Sequence, residues 1–205
     1  MMVESTNRDR APGVALDDAA REGARLALLT MLAEAPVHRI AMRDAAKRAG
    51  VGLATLYKYF GGKEAMVPAV LSPELDGLVE ALSQASRREV GVKARFRAVL
   101  EASLVFARDH QDAARAVVLN LPAGIWSESE ESWPARRRAV LVQILKNGRH
   151  DGSVRTDLTP EDLADLTLGA VDRAVETALR TGEVLEPVKV AERLFTLLWP
   201  AVNAD

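Results

Sequence analysis

The stretch AMRDAAKRAGVGLATLYKYFGGKEAM, Ala41–Met66, decides the fold. It reads as two short helical segments, Met42–Ala49 and Leu53–Phe60, separated by Gly50-Val51-Gly52 and closed by Gly61-Gly62. Apolar residues recur at three and four rather than in alternation, and the glycines supply the turn punctuation. Helices this short are marginal alone in water. They must therefore pack together around a preceding helix, with Ala45, Ala46, Val51 and Leu56 inward. That helix begins near Asp17 or Asp18, acids suited to an N-cap and to the positive end of the helix dipole. It runs through Leu26, Leu28, Leu29 and Leu32 and stops at Pro36. Short helix, glycine-containing turn and short helix together have the form of a helix-turn-helix, whose second helix is placed to enter a major groove.

The content of the second short helix supports that reading. Both tyrosines of the chain, Tyr57 and Tyr59, sit there with Lys58 between them and Phe60 after. Residues two apart on a helix point to different sides, so the two phenols cannot both be core. A tyrosine hydroxyl beside a lysine on an exposed helix is well placed to hydrogen-bond a phosphate oxygen. Phe60 and Leu56, four apart, read as core. The chain as a whole has a formal net charge of −2, but charge is unevenly spread. Between Pro36 and Ala65 stand six bases, Arg39, Arg43, Lys47, Arg48, Lys58 and Lys63, against two acids, Asp44 and Glu64. A local positive field of this kind is what a phosphate backbone requires, and it is also what a solvated helix face looks like.

Outward from this unit the pattern stays helical. Lys63 opens a longer helix, for which Pro68 and the pair Ser72-Pro73 predict a kink or break. Phe96, Val99, Leu100, Ser103 and Ala107 mark one face of the next helix, and Ala113–Leu121 forms a shorter one ended by Pro122. An acidic loop, Trp126–Glu131, leads to a helix with Pro134 in its first turn and a stop at Gly148. The last two helices run from Pro160 to Arg180, closed by Gly182, and from Pro187 to about Val202. The expected architecture is all-α, with about nine helices. The division is a tail at 1–15, a helix-turn-helix domain at 16–62 and a helical domain at 63–205.

Composition excludes several classes of function. The 205 residues contain no cysteine, which removes disulfides, thiolate metal sites and thiol nucleophiles. His38, His110 and His150 share no metal-ligand spacing, and there is no phosphate-binding glycine loop, nucleophile elbow or histidine-pair zinc motif. We expect no enzyme activity, no cofactor and no metal. No stretch approaches the roughly 20 uninterrupted apolar residues of a membrane span, and no apolar run follows the N-terminal charges. The expectation is a cytoplasmic protein with no membrane partner.

The stretch resembles the DNA-binding domain of the TetR (tetracycline repressor) family. That pattern runs as a valine-bearing turn, then Thr-Leu-Tyr-x-His/Tyr-Phe, then Lys-Glu. Here it is carried by Val51, Thr55, Leu56, Tyr57, Tyr59, Phe60, Lys63 and Glu64, and the likeness covers roughly Leu26 to Val70. The resemblance implies a homodimer with two N-terminal DNA-binding domains and a C-terminal ligand-binding and dimerisation core. Such a protein typically represses transcription from a double-stranded operator and lets go when a small-molecule effector binds.

Position by position, Thr55, Tyr57, Tyr59 and Lys63 match the family's phosphate-contacting positions. Arg43 matches one from which a side chain reaches base edges, where pairing with guanine is worth about 1–3 kcal/mol of discrimination. Lys58 suits phosphate or solvent, while Leu53 and Ala54 can touch thymine methyls but cannot read guanine. Where the family usually has Thr or Ser at helix starts, this chain has Ala41, Gly52 and Gly62, so three side-chain caps are missing. Arg8 and Arg10 stand in the tail at 1–15, which reads as disordered; a basic arm can enter a minor groove, but a disordered tail with no role is the favoured reading.

Two apolar stripes close the chain: Leu163, Leu166, Ala170, Ala174 and Thr177, then Ala191, Leu194, Phe195, Leu198 and Val202. The resemblance implies a four-helix dimer seam, and the bland alternative is that they bury the monomer's own core. Ligand candidates are Phe106, Asn120, Trp126, Gln143, Asn147 and Arg173, aromatic or polar residues near expected inner faces. Arg173 also has an ion pair available, since it stands between Asp172 and Glu176. The rival function is a helical interaction protein that keeps the fold without sequence-specific DNA binding.

Overall fold

The computed structural model describes residues 16–120 and 131–204. Nine α-helices are found among them: α1 Asp18–Glu34, α2 Met42–Arg48, α3 Leu53–Phe60, α4 Lys63–Arg88, α5 Val92–Asp109, α6 Gln111–Asn120, α7 Trp133–Asp151, α8 Pro160–Thr181 and α9 Pro187–Val202. A 3-10 turn at Val37–Arg39 joins α1 to α2. The described residues contain no strand, only one isolated antiparallel bridge between Val154 and Asn203.

The helix ends follow local chemistry. Asp17 caps α1 by accepting from the Ala20 N–H at 2.7 Å. Thr159 and Asp162 form a reciprocal capping box at the start of α8, with Pro160 in the first turn. The turn after α2 is a Schellman motif. Val51 N–H donates to Ala46 O at 3.0 Å and Gly50 N–H to Lys47 O at 3.2 Å. Gly50 takes the left-handed conformation, φ 68°, that the motif needs. Ala41, Gly52 and Gly62 stand at the starts of α2, α3 and α4, and none supplies a side-chain cap.

Two expected interruptions are absent. α4 is one helix of 26 residues with Pro68 and Pro73 inside it, not two segments. A proline at 73 withholds its N–H from Ala69 O, and its ring crowds that same carbonyl. Ala69 is exposed, so this cost falls on the solvent side of the helix, while the neighbouring Val70 carbonyl accepts from Arg25 Nη1 at 2.9 Å. Similarly, α7 passes through Gly148 and ends only at Gly152, φ 80°. Gly148 is there for packing. A Cβ on it would stand 2.9 Å from Val92 Cγ1 and closer still to Val154 Cγ2.

Buried apolar residues form one continuous cluster from Ala24 to Val202. α1 lies on α6, α4 on α5 and α7, α5 on α9, and α7 on α8. The face expected on α5, Phe96, Val99, Leu100, Ser103 and Ala107, is buried throughout. Ala45, Ala46 and Leu56 are buried as well, and Val51 packs against them.

Candidate nucleic-acid interface and internal cavity

α3 divides cleanly into two faces. Leu56 and Phe60 are buried, whereas Leu53, Ala54, Tyr57 and Lys58 are exposed. Tyr57 is 48% exposed. Tyr59 is half-buried, and its hydroxyl accepts the Leu16 N–H at 3.2 Å. Lys58 Nζ lies 5.3 Å from the Tyr59 ring centroid, within cation–π range. Thr55 is half-buried and Arg43 is exposed on α2.

The six bases near this face are not equivalent. Arg48 is paired with Glu34 at 2.9 Å, and Lys63 Nζ donates to His38 O at 3.0 Å. Among the described residues Arg39, Arg43, Lys47 and Lys58 have no carboxylate partner. These four bases are exposed, Lys58 on α3, Arg43 and Lys47 on α2 and Arg39 in the turn before it. What this arrangement can do chemically is hold phosphates by charge and by the Tyr57 hydroxyl.

Helices α4–α8 line a partly open cavity of about 80 Å³. Its wall comes from Leu75 and Leu78 on α4, Ser103, Phe106 and Ala107 on α5, Ala113, Ala114, Val117 and Val118 on α6, Trp133 and Arg137 on α7, and Val171, Asp172 and Val175 on α8. The lining is apolar apart from Ser103, Arg137 and Asp172, with the Trp133 indole as an amphipathic neighbour. Arg137 Nη1 meets Asp172 Oδ1 at 2.7 Å.

Of the residues selected from sequence as ligand candidates, Phe106 lies in this wall. The others are elsewhere. Asn120 is fully buried but faces the helix-turn-helix unit. Its Oδ1 accepts from Val37 N–H at 2.8 Å, and its Nδ2 donates to Ala116 O at 2.7 Å and Leu32 O at 3.4 Å. Gln143 and Asn147 are exposed on α7 and bonded to each other at 3.0 Å. Arg173 is exposed and paired with Glu176 at 2.9 Å. Trp126 lies outside the described residues. Sequence reading missed Trp133, Arg137 and Asp172. The i, i+4 spacing of Trp133 and Arg137 was a usable signal, masked by the run Arg136-Arg137-Arg138, which looks like a solvated face.

The two terminal stripes are also split. Leu163, Ala191, Leu194, Leu198 and Val202 are buried within this chain. Phe195 packs against Trp199, 5.8 Å between centroids, and both tilt onto Phe96 of α5. Ala170, Ala174 and Thr177 are half-buried, and Leu166 is 53% exposed. The outward apolar residues of α9 are Val188 and Leu197, the latter 68% exposed. The inward face of α8 is instead Leu163, Ala164, Thr167, Val171 and Val175.

Polar contacts join the cavity wall to the first helix. Phe106 stacks on His110 with centroids 4.2 Å apart, and His110 Nδ1 lies 2.8 Å from Glu74 Oε2. Glu74 Oε1 accepts from Arg25 Nη2 at 3.1 Å, and Arg25 also holds Glu22 through Nε and Nη2. Arg25 is only 7% exposed. The Glu22 carboxyl, hydrogen-bonded by this guanidinium, is held below the usual carboxylate range, and Arg25 is correspondingly pushed further towards its charged form. α6 makes a second link. Ala113, Ala114, Val117 and Val118 line the cavity, while Thr30 on α1 bonds Asp112 at 3.2 Å and Asn120 bonds Val37.

Residues 27–70 match the family described as bacterial regulatory proteins, tetR family. The chain is similar to the HTH-type transcriptional repressor KstR2 of Rhodococcus jostii (strain RHA1), 29% identical over 162 residues, which are 73% of this chain and 77% of the relative. Among solved structures, a TetR family transcription regulator from Marinobacter aquaeolei VT8 superposes with a TM-score of 0.75 at 19% identity, covering 92% of this chain and 98% of that one. The transcriptional regulator FadR from Bacillus subtilis, in complex with stearoyl-CoA, superposes with a TM-score of 0.71 at 19% identity, covering 86% and 96%. At these identities the structural likeness speaks to the fold alone.

Proposed function

We propose that this chain, whose residues 27–70 match the tetR family and which is similar to the KstR2 repressor, is a DNA-binding regulator of that family, that it represses transcription by binding a near-palindromic operator as a homodimer, and that a small molecule entering the cavity releases it. The observation that carries the DNA reading is the outer face of α3. There Leu53, Ala54, Tyr57 and Lys58 are exposed, while the opposite face of the same helix is buried. In this reading residues 16–62 are the DNA-reading unit and 63–205 the effector and dimerisation unit. Tyr57, Tyr59, Thr55, Lys58 and Lys63 hold phosphates, Arg43 reaches a base edge, and Leu53 and Ala54 approach base methyls. Helices α2, α3 and α4 start without side-chain caps, so first-turn N–H groups are available to phosphate oxygens.

Two half-sites on a duplex call for a two-fold protein. The seam we propose is the outward part of the terminal helices, Leu166, Ala170, Ala174 and Thr177 on α8 with Leu197 on α9. Leu166 and Leu197 are large, exposed and apolar. Repression is supported by the likeness to KstR2, a transcriptional repressor, and effector binding by the fold neighbour in complex with stearoyl-CoA. No described helix is long and apolar enough to cross a membrane, and we place the protein in the cytoplasm with its DNA.

The test is selection of bound duplexes from a random pool, followed by titration of the winner at several salt concentrations. The expected outcome is an enriched near-palindrome whose affinity falls steeply with salt. Weak, unselective binding without enrichment would instead favour an interaction protein on this fold.

A further inference from the structure

Among the described residues Arg137 is the one cation in the cavity wall, and its bonding is incomplete. Its side chain is 8% exposed, and its only carboxylate partner among the described residues is Asp172, held through Nη1 at 2.7 Å. The guanidinium carbon lies 5.9 Å from the Trp133 ring centroid. Nε is buried and has no hydrogen-bond acceptor. A buried guanidinium N–H left in this state carries the cost of its lost hydration. Asp172, by contrast, is 46% exposed on its side chain, so its charge is partly screened by water. The pair thus has its positive member inside and its negative member towards solvent. Asp172 meets Nη1, and the edge of the guanidinium made by Nε and Nη2 is the fork that takes both oxygens of a carboxylate once the side chain turns that buried edge towards the cavity. Ser103 cannot serve the same purpose, because its hydroxyl proton is donated to Val99 O at 2.8 Å.

We propose that the effector is a small carboxylic acid with an apolar body, its carboxylate seated on the Nε edge of Arg137 and its body against Leu75, Leu78, Phe106, Val117 and Val175. This rests on the cavity being the effector site. An amine is excluded by like charge beside Arg137, and an alcohol gains at most one of the two bonds. The cavity of about 80 Å³ is smaller than the roughly 150 Å³ that admits benzene, so the acid is short-chained and carries no ring. Binding moves Phe106, which is stacked on His110, and so reaches Glu74 and Arg25 of the contacts to α1.

The experiment uses the full chain and a chain-length-matched panel: propanoate, butanoate, pentanoate and hexanoate against the corresponding alcohols and amines. Binding is read by thermal shift and by tryptophan fluorescence. Acids should bind at least about tenfold more tightly than alcohols, the factor expected of charge-assisted hydrogen bonds, and amines more weakly than both. Arg137→Met should abolish the acid preference, lowering acid affinity at least about tenfold more than alcohol affinity. Asp172→Asn, which keeps Arg137 but removes its competing carboxylate, should tighten acid binding severalfold. Equal affinity for acids and alcohols, an acid preference that survives Arg137→Met, or no binding by any acid overturns the proposal. Release of the selected operator separates this from the reading beneath it. Release by a neutral compound whose binding is blocked by Ala114→Phe would keep the cavity as effector site and remove only the acid, whereas release insensitive to Ala114→Phe would remove the cavity itself.

Discussion

Asn120 Oδ1 accepts the backbone N–H of Val37 at 2.8 Å, joining the last residue of α6 to the turn that precedes α2. Both groups are buried. The bond makes α6 a shared wall, with the cavity on one side and the helix-turn-helix unit on the other. Replacing Asn120 by Ala leaves the Val37 N–H buried without an acceptor, so Asn120→Ala should lower unfolding stability by about 1–3 kcal/mol. Urea denaturation measures this. A change within a few tenths of a kcal/mol would show that the bond is not formed in solution.

Gly148 sits where α7 meets Val92 and Val154. Gly148→Ala would ordinarily favour a helix, but here the added methyl overlaps two packed side chains. Destabilisation by about 1–3 kcal/mol is expected, read as a lower urea midpoint. A stabilised variant would refute the close packing.

Ala41 has the extended backbone of an N-cap, φ −81° and ψ 133°, but no hydroxyl or carboxylate to complete it. Ala41→Ser should therefore stabilise the chain by about 1 kcal/mol. Thermal unfolding in the absence of DNA is the measurement, and an unchanged Tm would mean that the first turn of α2 is already satisfied.

Glu22 carries the acid sensitivity of the Arg25 cluster. Its carboxyl is held below its ordinary value, chiefly by the hydrogen bond from Arg25. A depressed carboxyl stabilises the fold above the unfolded pKa, near 4.3, and that contribution is lost as pH falls through the lower, folded value. Stability should thus decline below about pH 4.3, and Glu22→Gln should show a shallower decline over the same range. Superimposable pH profiles for the two proteins would remove Glu22 from this role.

At the outer face of α3, Tyr57→Phe should weaken binding to every duplex alike, since a phosphate contact is blind to sequence. Arg43→Ala should instead relax selectivity at one position of each half-site, by about 1–3 kcal/mol. Lys63→Ala is less clean, because Lys63 also holds His38 O. Its salt slope, measured beside its stability, separates the two contributions. Affinity unchanged in both Tyr57→Phe and Lys63→Ala would move the DNA face elsewhere.

Much of the fold is legible in the residues alone, because its signals are local. Asp17, Thr159, Pro160, Gly182 and Pro187 mark helix ends by chemistry that operates within one turn, and the helices begin and end there. The spacing of Leu56 and Phe60 assigns the inner face of α3, which by elimination leaves Tyr57 and Lys58 outside. Periodicity reports that a face is apolar without reporting what covers it. α8 has two such faces, and the arrival of α5, α6 and α7 decides that Leu163, Thr167 and Val171 are inward while Leu166 is not. The same holds for Gly148, whose need for glycine comes from Val92 and Val154. The local sequence thus determined the helices, their ends and the helix-turn-helix. Only the tertiary structure decided which apolar faces are buried and that Arg137 lies against a cavity, because burial depends on neighbours brought together by the whole fold.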